Sequence, residues 1–88
     1  MISFSIDSMG DGINGDRAAM QALCVRVARH VLSQWDGLDI EVSTRPGECE
    51  SDDERALLDA VWSACCDAES DEEALRLAAQ RFQPAEAD

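Results

Sequence analysis

The chain has 88 residues, 45% of them hydrophobic, which is enough for one small globular domain and too much for a disordered segment. Its net charge is −12, with seven arginines and no lysine, a balance that repels nucleic-acid phosphates and anionic lipid surfaces and attracts basic protein surfaces. No stretch approaches the roughly 20 apolar residues of a membrane span, and the N-terminus lacks the basic-then-apolar pattern of a leader, so a cytoplasmic setting is expected.

In chain order, Ile2, Phe4 and Ile6 alternate with Ser3, Ser5 and Asp7, the period of a half-buried strand. A loop with Gly10, Gly12 and Gly15 follows. The stretch from Arg17 to Trp35 then places Met20, Leu23, Cys24, Val27, Val31 and Trp35 on one helical face. Asp16 is positioned to cap its start and Gly37 to close its end in the left-handed region. Val25 and Leu32, seven apart, make a second apolar stripe on nearly the opposite face. Such a stripe expects cover from later helices, a second copy or a partner.

Leu38, Ile40 and Val42 alternate with Asp39, Glu41 and Ser43, giving a second strand over 38–44, and Arg45-Pro46-Gly47-Glu48 turns the chain. Ser51-Asp-Asp-Glu54 and Ser70-Asp-Glu-Glu73 are two capping boxes: a hydroxyl accepts from a free backbone N–H while the glutamate reaches back. Helices over 52–68 and 71–82 follow. The first is expected to bury Leu58, Val61, Trp62 and Cys65 with Leu57 at the flank, the second Leu75, Ala78 and Phe82. The fold expected is α+β, ordered β-α-β-α-α, a single domain over 1–83 with a two-stranded sheet packed by three helices and a disordered acidic tail over 84–88. A helix between two strands of one sheet makes them parallel, although an antiparallel pair with a longer excursion also fits the pattern.

Several motifs carry less than they promise. Gly10-x-Gly12-x-x-Gly15 has the strand-before, helix-after context of a dinucleotide fingerprint. Asp7, Asp11 and Asp16 would face the pyrophosphate, however, and the strand alternates where a doubly wound sheet needs continuous apolar residues. The same stretch fails the calcium-loop spacing and lacks its closing glutamate. Cys24, Cys49, Cys65 and Cys66 show no C-x-x-C, and His30 alone cannot complete a zinc set. Cys24 and Cys65 read as small core residues, reduced in a cytoplasmic setting. His30 has no nucleophile or orienting acid in pattern, so no catalytic residue, cofactor or metal is expected.

The charge is uneven. Residues 1–47 carry a net of −2 and residues 48–88 a net of −10. Between Glu48 and Glu73 there are eleven acids and one base, Arg55. Glu48, Glu50, Asp52, Asp53, Asp59, Asp67, Glu69, Asp71 and Glu72 form the candidate partner-binding surface, with Asp52, Asp59 and Asp67 pointing away from the apolar stripe of their helix. Val25 and Leu32 form the alternative, apolar interface of a small structural or adaptor subunit. Carboxylates fixed on capped helices can occupy a groove whose Lys/Arg contacts are built for a nucleic-acid backbone.

A small, lysine-free, strongly acidic chain with helices opening on SDDE and SDEE resembles, by overall profile, the small inhibitors of phages and mobile elements, anti-CRISPR proteins and other DNA mimics. The resemblance implies a non-enzymatic inhibitor that blocks the substrate site of a nucleic-acid-handling complex, such as a CRISPR effector, in a bacterial host cell.

Overall fold

The computed structural model describes residues 1–6, 15–35 and 37–83. Its elements are β1 (Ile2–Ser3), α1 (Arg17–Leu32), β2 (Val42–Ser43), α2 (Asp52–Asp67) and α3 (Asp71–Arg81). This is an α+β fold in the expected order, three helices around a two-stranded sheet. Gly10, Gly12 and the tail over 84–88 lie outside the described residues.

The strands pair in parallel, with Ile2 opposite Val42 and Ser3 opposite Ser43. The Ile2 and Phe4 amides donate to the Glu41 and Ser43 carbonyls at 2.9 and 2.8 Å. The antiparallel alternative is thereby overturned. The ladder is shorter than the alternation predicts. Ile2 and Phe4 are fully buried, yet Ile6 is 42% exposed, because β1 ends before it and the period-two pattern no longer has a sheet to face. Leu38 and Ile40 keep the inward side of the segment leading into β2, half-buried between exposed Asp39 and Glu41. Gln21 on α1 ties the strand ends together: its amide nitrogen donates to the Phe4 and Thr44 carbonyls at 2.6 and 3.4 Å.

In α1 the Asp16 carboxylate accepts from the Ala19 amide at 3.0 Å, satisfying one of the free donors at the helix start. The predicted face is the buried one: Met20, Leu23, Cys24, Val27 and Val31, joined by Ala28. Regular helix stops at Leu32, short of Trp35. The Gln34 and Trp35 amides bond back three residues, to Val31 and Leu32, tightening the last turn, and Gly37 redirects the chain at φ 87°. Trp35 is half-buried and meets the Phe82 ring edge-on, centroids 5.8 Å apart and planes at 86°. That contact fastens the end of α3 to the end of α1.

The two capping boxes are realised alike. Ser51 Oγ accepts from the Glu54 amide and Ser70 Oγ from the Glu73 amide, each at 3.2 Å. Each glutamate reaches one residue beyond the cap: Glu54 accepts from the Glu50 amide at 3.3 Å and Glu73 from the Glu69 amide at 3.2 Å. Three acids in the first turn of each helix also complement the helix dipole.

The buried line of α2 is Glu54, Leu57, Ala60, Val61, Ala64 and Cys65. The expected face is therefore corrected: Leu57 is central and fully buried, while Leu58 and Trp62 are half-buried flanks. Ala60 and Ala64 turn inward because small side chains let neighbouring helices approach, and the larger Leu58 and Trp62 fit beside that contact rather than in it. In α3 the same rule puts Ala74 and Ala78 inside with Phe82, and leaves the expected Leu75 half-buried. α2 and α3 form the most extensive element pair, and α1 packs on both.

Candidate functional site

The acidic residues stand on α2, on α3 and on the turns before them. Glu48, Glu50, Asp52, Asp59, Asp67, Glu69, Asp71 and Glu72 are exposed, and Asp53 is half-exposed. They do not converge on one point. With a rise of about 1.5 Å per residue, Asp52 and Asp67 stand roughly 22 Å apart along α2, with Asp59 between them. One group gathers at the start of α2, where Glu48, Asp59, Arg55, Leu58 and Cys49 surround a depression of about 500 Å³. The other gathers at the α2–α3 turn, where Glu69 and Asp71 border a second depression of about 350 Å³ with Cys65 and Cys66.

The local charges also differ in how they are used. Asp67 accepts from Arg81 Nη1 at 2.9 Å, and the same nitrogen donates to Ser63 Oγ, joining the two acidic helices. Asp71 lies 3.5 Å from Arg26 of α1, a loose and exposed pair. Glu73 stands 3.8 Å from Arg76 one turn on. Glu48, Glu50, Asp52, Asp59, Glu69 and Glu72 make no ion pair among the described residues. Glu54 is set apart from all of these: it is only 6% exposed and holds the Met1 ammonium as well as the Glu50 amide. Its role is structural.

The Val25/Leu32 stripe is half-buried rather than bare, and both residues pack against the core. Val25 borders a shallow depression of about 420 Å³ with Gln21, Ala22, Arg26, Arg29 and Thr44, beside the end of β2. Arginines thus frame the apolar strip, opposite in sign to the surface of α2 and α3.

His30 is exposed, its ring 3.2 Å from the Gln34 amide nitrogen. Among the described residues no group of three His, Cys, Asp or Glu is placed to hold a metal ion. No described helix is long and apolar enough to cross a membrane.

The sequence pattern missed one cluster. Cys24 of α1 and Cys65 of α2 are both buried in the core where the two helices pack. The hydrogen bond to Cys65, together with burial, pushes the Cys24 thiol far above its ordinary range, and the same bond lowers that of Cys65. Burial, with Cys65 and Asp67 nearby, pushes the exposed Cys66 thiol up. Each cysteine fits its helical face, but only packing of α1 on α2 brings the two together.

Comparison with protein-family models, with curated proteins and with solved structures finds no match.

Proposed function

We infer that this protein is a non-enzymatic binding inhibitor whose acidic α2–α3 surface docks on a basic, nucleic-acid-binding site of a partner, in the manner of DNA-mimic and anti-CRISPR proteins. The observation that carries the reading is a run of eleven acids to one base over residues 48–73, set on two doubly capped helices. Six of those carboxylates are exposed and outside any ion pair among the described residues, so docking on a basic groove need not first break internal pairs. Capping fixes the helix starts, so the carboxylates are presented with little ordering cost on binding. A CRISPR effector is the partner class we favour.

The test is a pull-down from bacterial lysate with the tagged protein, followed by binding of the recovered complex at rising salt. Attraction between exposed charges is screened over about 10 Å at 0.1 M salt, so mimicry requires affinity to fall at least tenfold between low and high salt. The double variant Asp52→Lys/Asp59→Lys should abolish binding with the fold intact. Asp67 is left in place because reversing it would break the Arg81 link between α2 and α3. Normal binding by the double variant would reduce the acidic surface to solvation. A salt-insensitive complex lost on Val25→Asp would instead favour an adaptor that binds, or dimerises, through the arginine-framed apolar strip.

A further inference from the structure

We propose that α1 of one copy seats on the acidic start of α2 of another, so that the chain associates with itself head to tail. α1 holds Arg17, Arg26 and Arg29 and no acid, in a chain whose net charge is −12. Arg26 and Arg29 are exposed and, with half-buried Val25, border the depression of about 420 Å³ beside the end of β2. Arg29 makes no ion pair among the described residues, and Arg26 has only the loose 3.5 Å pair with Asp71. An apolar strip is thus framed by cations whose charge the fold itself hardly uses.

The complementary surface lies on the same molecule. At the start of α2, exposed Glu48 and Asp59 and half-buried Leu58 line the depression of about 500 Å³. Here the apolar side chain is framed by anions, with Arg55 the one base in the lining. The two depressions share no lining residue, so one copy can offer both surfaces at once. Arginine suits such a contact, because its planar fork can bind a carboxylate through two parallel N–H groups.

Sign decides the symmetry. A two-fold dimer through the strip would set Arg26 and Arg29 against their own counterparts, and one through the start of α2 would set Glu48 and Asp59 against theirs. Both juxtapose like charges, which suppresses pairing. Only the unlike pairing brings cation to anion. Such a heterologous contact does not close at two copies and continues into rings or open chains. It needs no second protein, yet a seated copy covers Glu48 and Asp59, carboxylates that docking on a basic partner would use.

Net charge shapes the salt dependence. At about 0.01 M salt, screening acts over about 30 Å, comparable with the 38 Å length of the molecule, so whole copies repel. At about 0.1 M it acts over about 10 Å, and contact pairs govern; at about 1 M these are screened too. Association should therefore peak near 0.1 M and fall at least about threefold on either side.

The test is sedimentation of the pure, reduced chain at millimolar concentration. The wild type should rise in mass past a dimer. Arg26→Glu/Arg29→Glu alone and Glu48→Lys/Asp59→Lys alone should stay monomeric, and an equimolar mixture of the two should associate again, because each then offers what the other lacks. In NMR spectra of the wild type, the Val25 and Arg29 amides should shift with concentration together with those of Leu58 and Asp59. A monomeric wild type, a dimer that survives both variants, a mixture that stays monomeric, association strongest at 1 M salt, or shifts confined to one of the two surfaces would each overturn the proposal. If a variant fails to fold, the wild-type shifts and salt profile still decide it. No partner is present in these measurements, so their failure leaves docking on a basic site untouched.

Discussion

Replacing each capping-box glutamate with alanine separates two effects that look identical in the motif. Both Glu54 and Glu73 are the fourth residue of an S-x-x-E box, and both accept a backbone amide at 3.2–3.3 Å. Their surroundings differ. Glu54 is 6% exposed and binds two donors, the Glu50 amide and the Met1 ammonium; the Glu73 side chain is 33% exposed and its second partner is Arg76 at 3.8 Å. Losing a hydrogen bond to a charged group costs about 1.5–3 kcal/mol, and stranding a partner away from water costs more. Glu54→Ala should therefore lose about 3 kcal/mol. Glu73→Ala loses a solvent-accessible cap interaction worth roughly 0.5–1 kcal/mol. An 88-residue domain has about 4–13 kcal/mol in total, so the first variant stands near the edge of folding and the second does not. At about 4–8 °C per kcal/mol, the melting points should fall by ~12–24 °C and ~2–8 °C. Urea titration of the untagged protein, followed by the half-buried Trp35 and Trp62, gives both free-energy losses, and thermal melts give the shifts. Equal losses, or a larger loss at Glu73, would refute the assignment of Glu54 to the core.

Leu57→Ala should cost about 2–5 kcal/mol, whereas Leu58→Ala, at the half-buried flank, should cost under about 1.5 kcal/mol by the same titration. Gly37→Ala should destabilise by about 1 kcal/mol in thermal melts through backbone strain alone, since φ is 87° and a methyl group there would meet nothing within 4 Å. The thiols make stability depend on alkaline pH. Cys24 keeps its proton in the fold well above the ordinary 9.0, so its contribution is full below that value and is lost as pH rises above it. The unfolding free energy from urea titration should fall between pH 9 and 10.5, by about 1.4 kcal/mol per pH unit for one group. Cys65, lowered in the fold, adds a constant contribution above 9.0 and does not mask that slope. A Cys24→Ala variant with an undiminished slope would contradict this.

What the chain states locally, it states well. Ser51, Ser70 and Asp16 announce helix starts because a cap is made within three residues, between a side chain and its own backbone. The face of α1 was legible because its large apolar residues are also its contact residues. In α2 and α3 those roles separate. Leu58, Trp62 and Leu75 carry the apolar weight in a helical wheel, but Ala60, Ala64, Ala74 and Ala78 occupy the close contacts, and alanine gives pattern reading almost nothing to weigh. Ile6 misled for the opposite reason: alternation describes a strand's preference and says nothing of where its partner stops. The acidic residues could be counted in advance, yet their division between the two ends of α2, and the engagement of Asp67 and Asp71 by arginines from other elements, depends on tertiary packing.

The parallel pairing of β1 with β2 sets an order of events in folding. α2 and α3 are neighbours in sequence, joined only by Ala68 to Ser70, and their packing can form while the rest of the chain is still open. Ile2 meets Val42 only after the intervening chain, α1 included, has come round, so the sheet must bear the larger loop-closure entropy. The helical hairpin that carries most of the negative charge should therefore form early, and the strand pair should close late. By the same reasoning the strand pair should be the first to reopen under native conditions. The amides of Ile2 and Phe4 should exchange with solvent hydrogen faster than those of Val61 and Ala64, even though all four residues are fully buried in the finished fold.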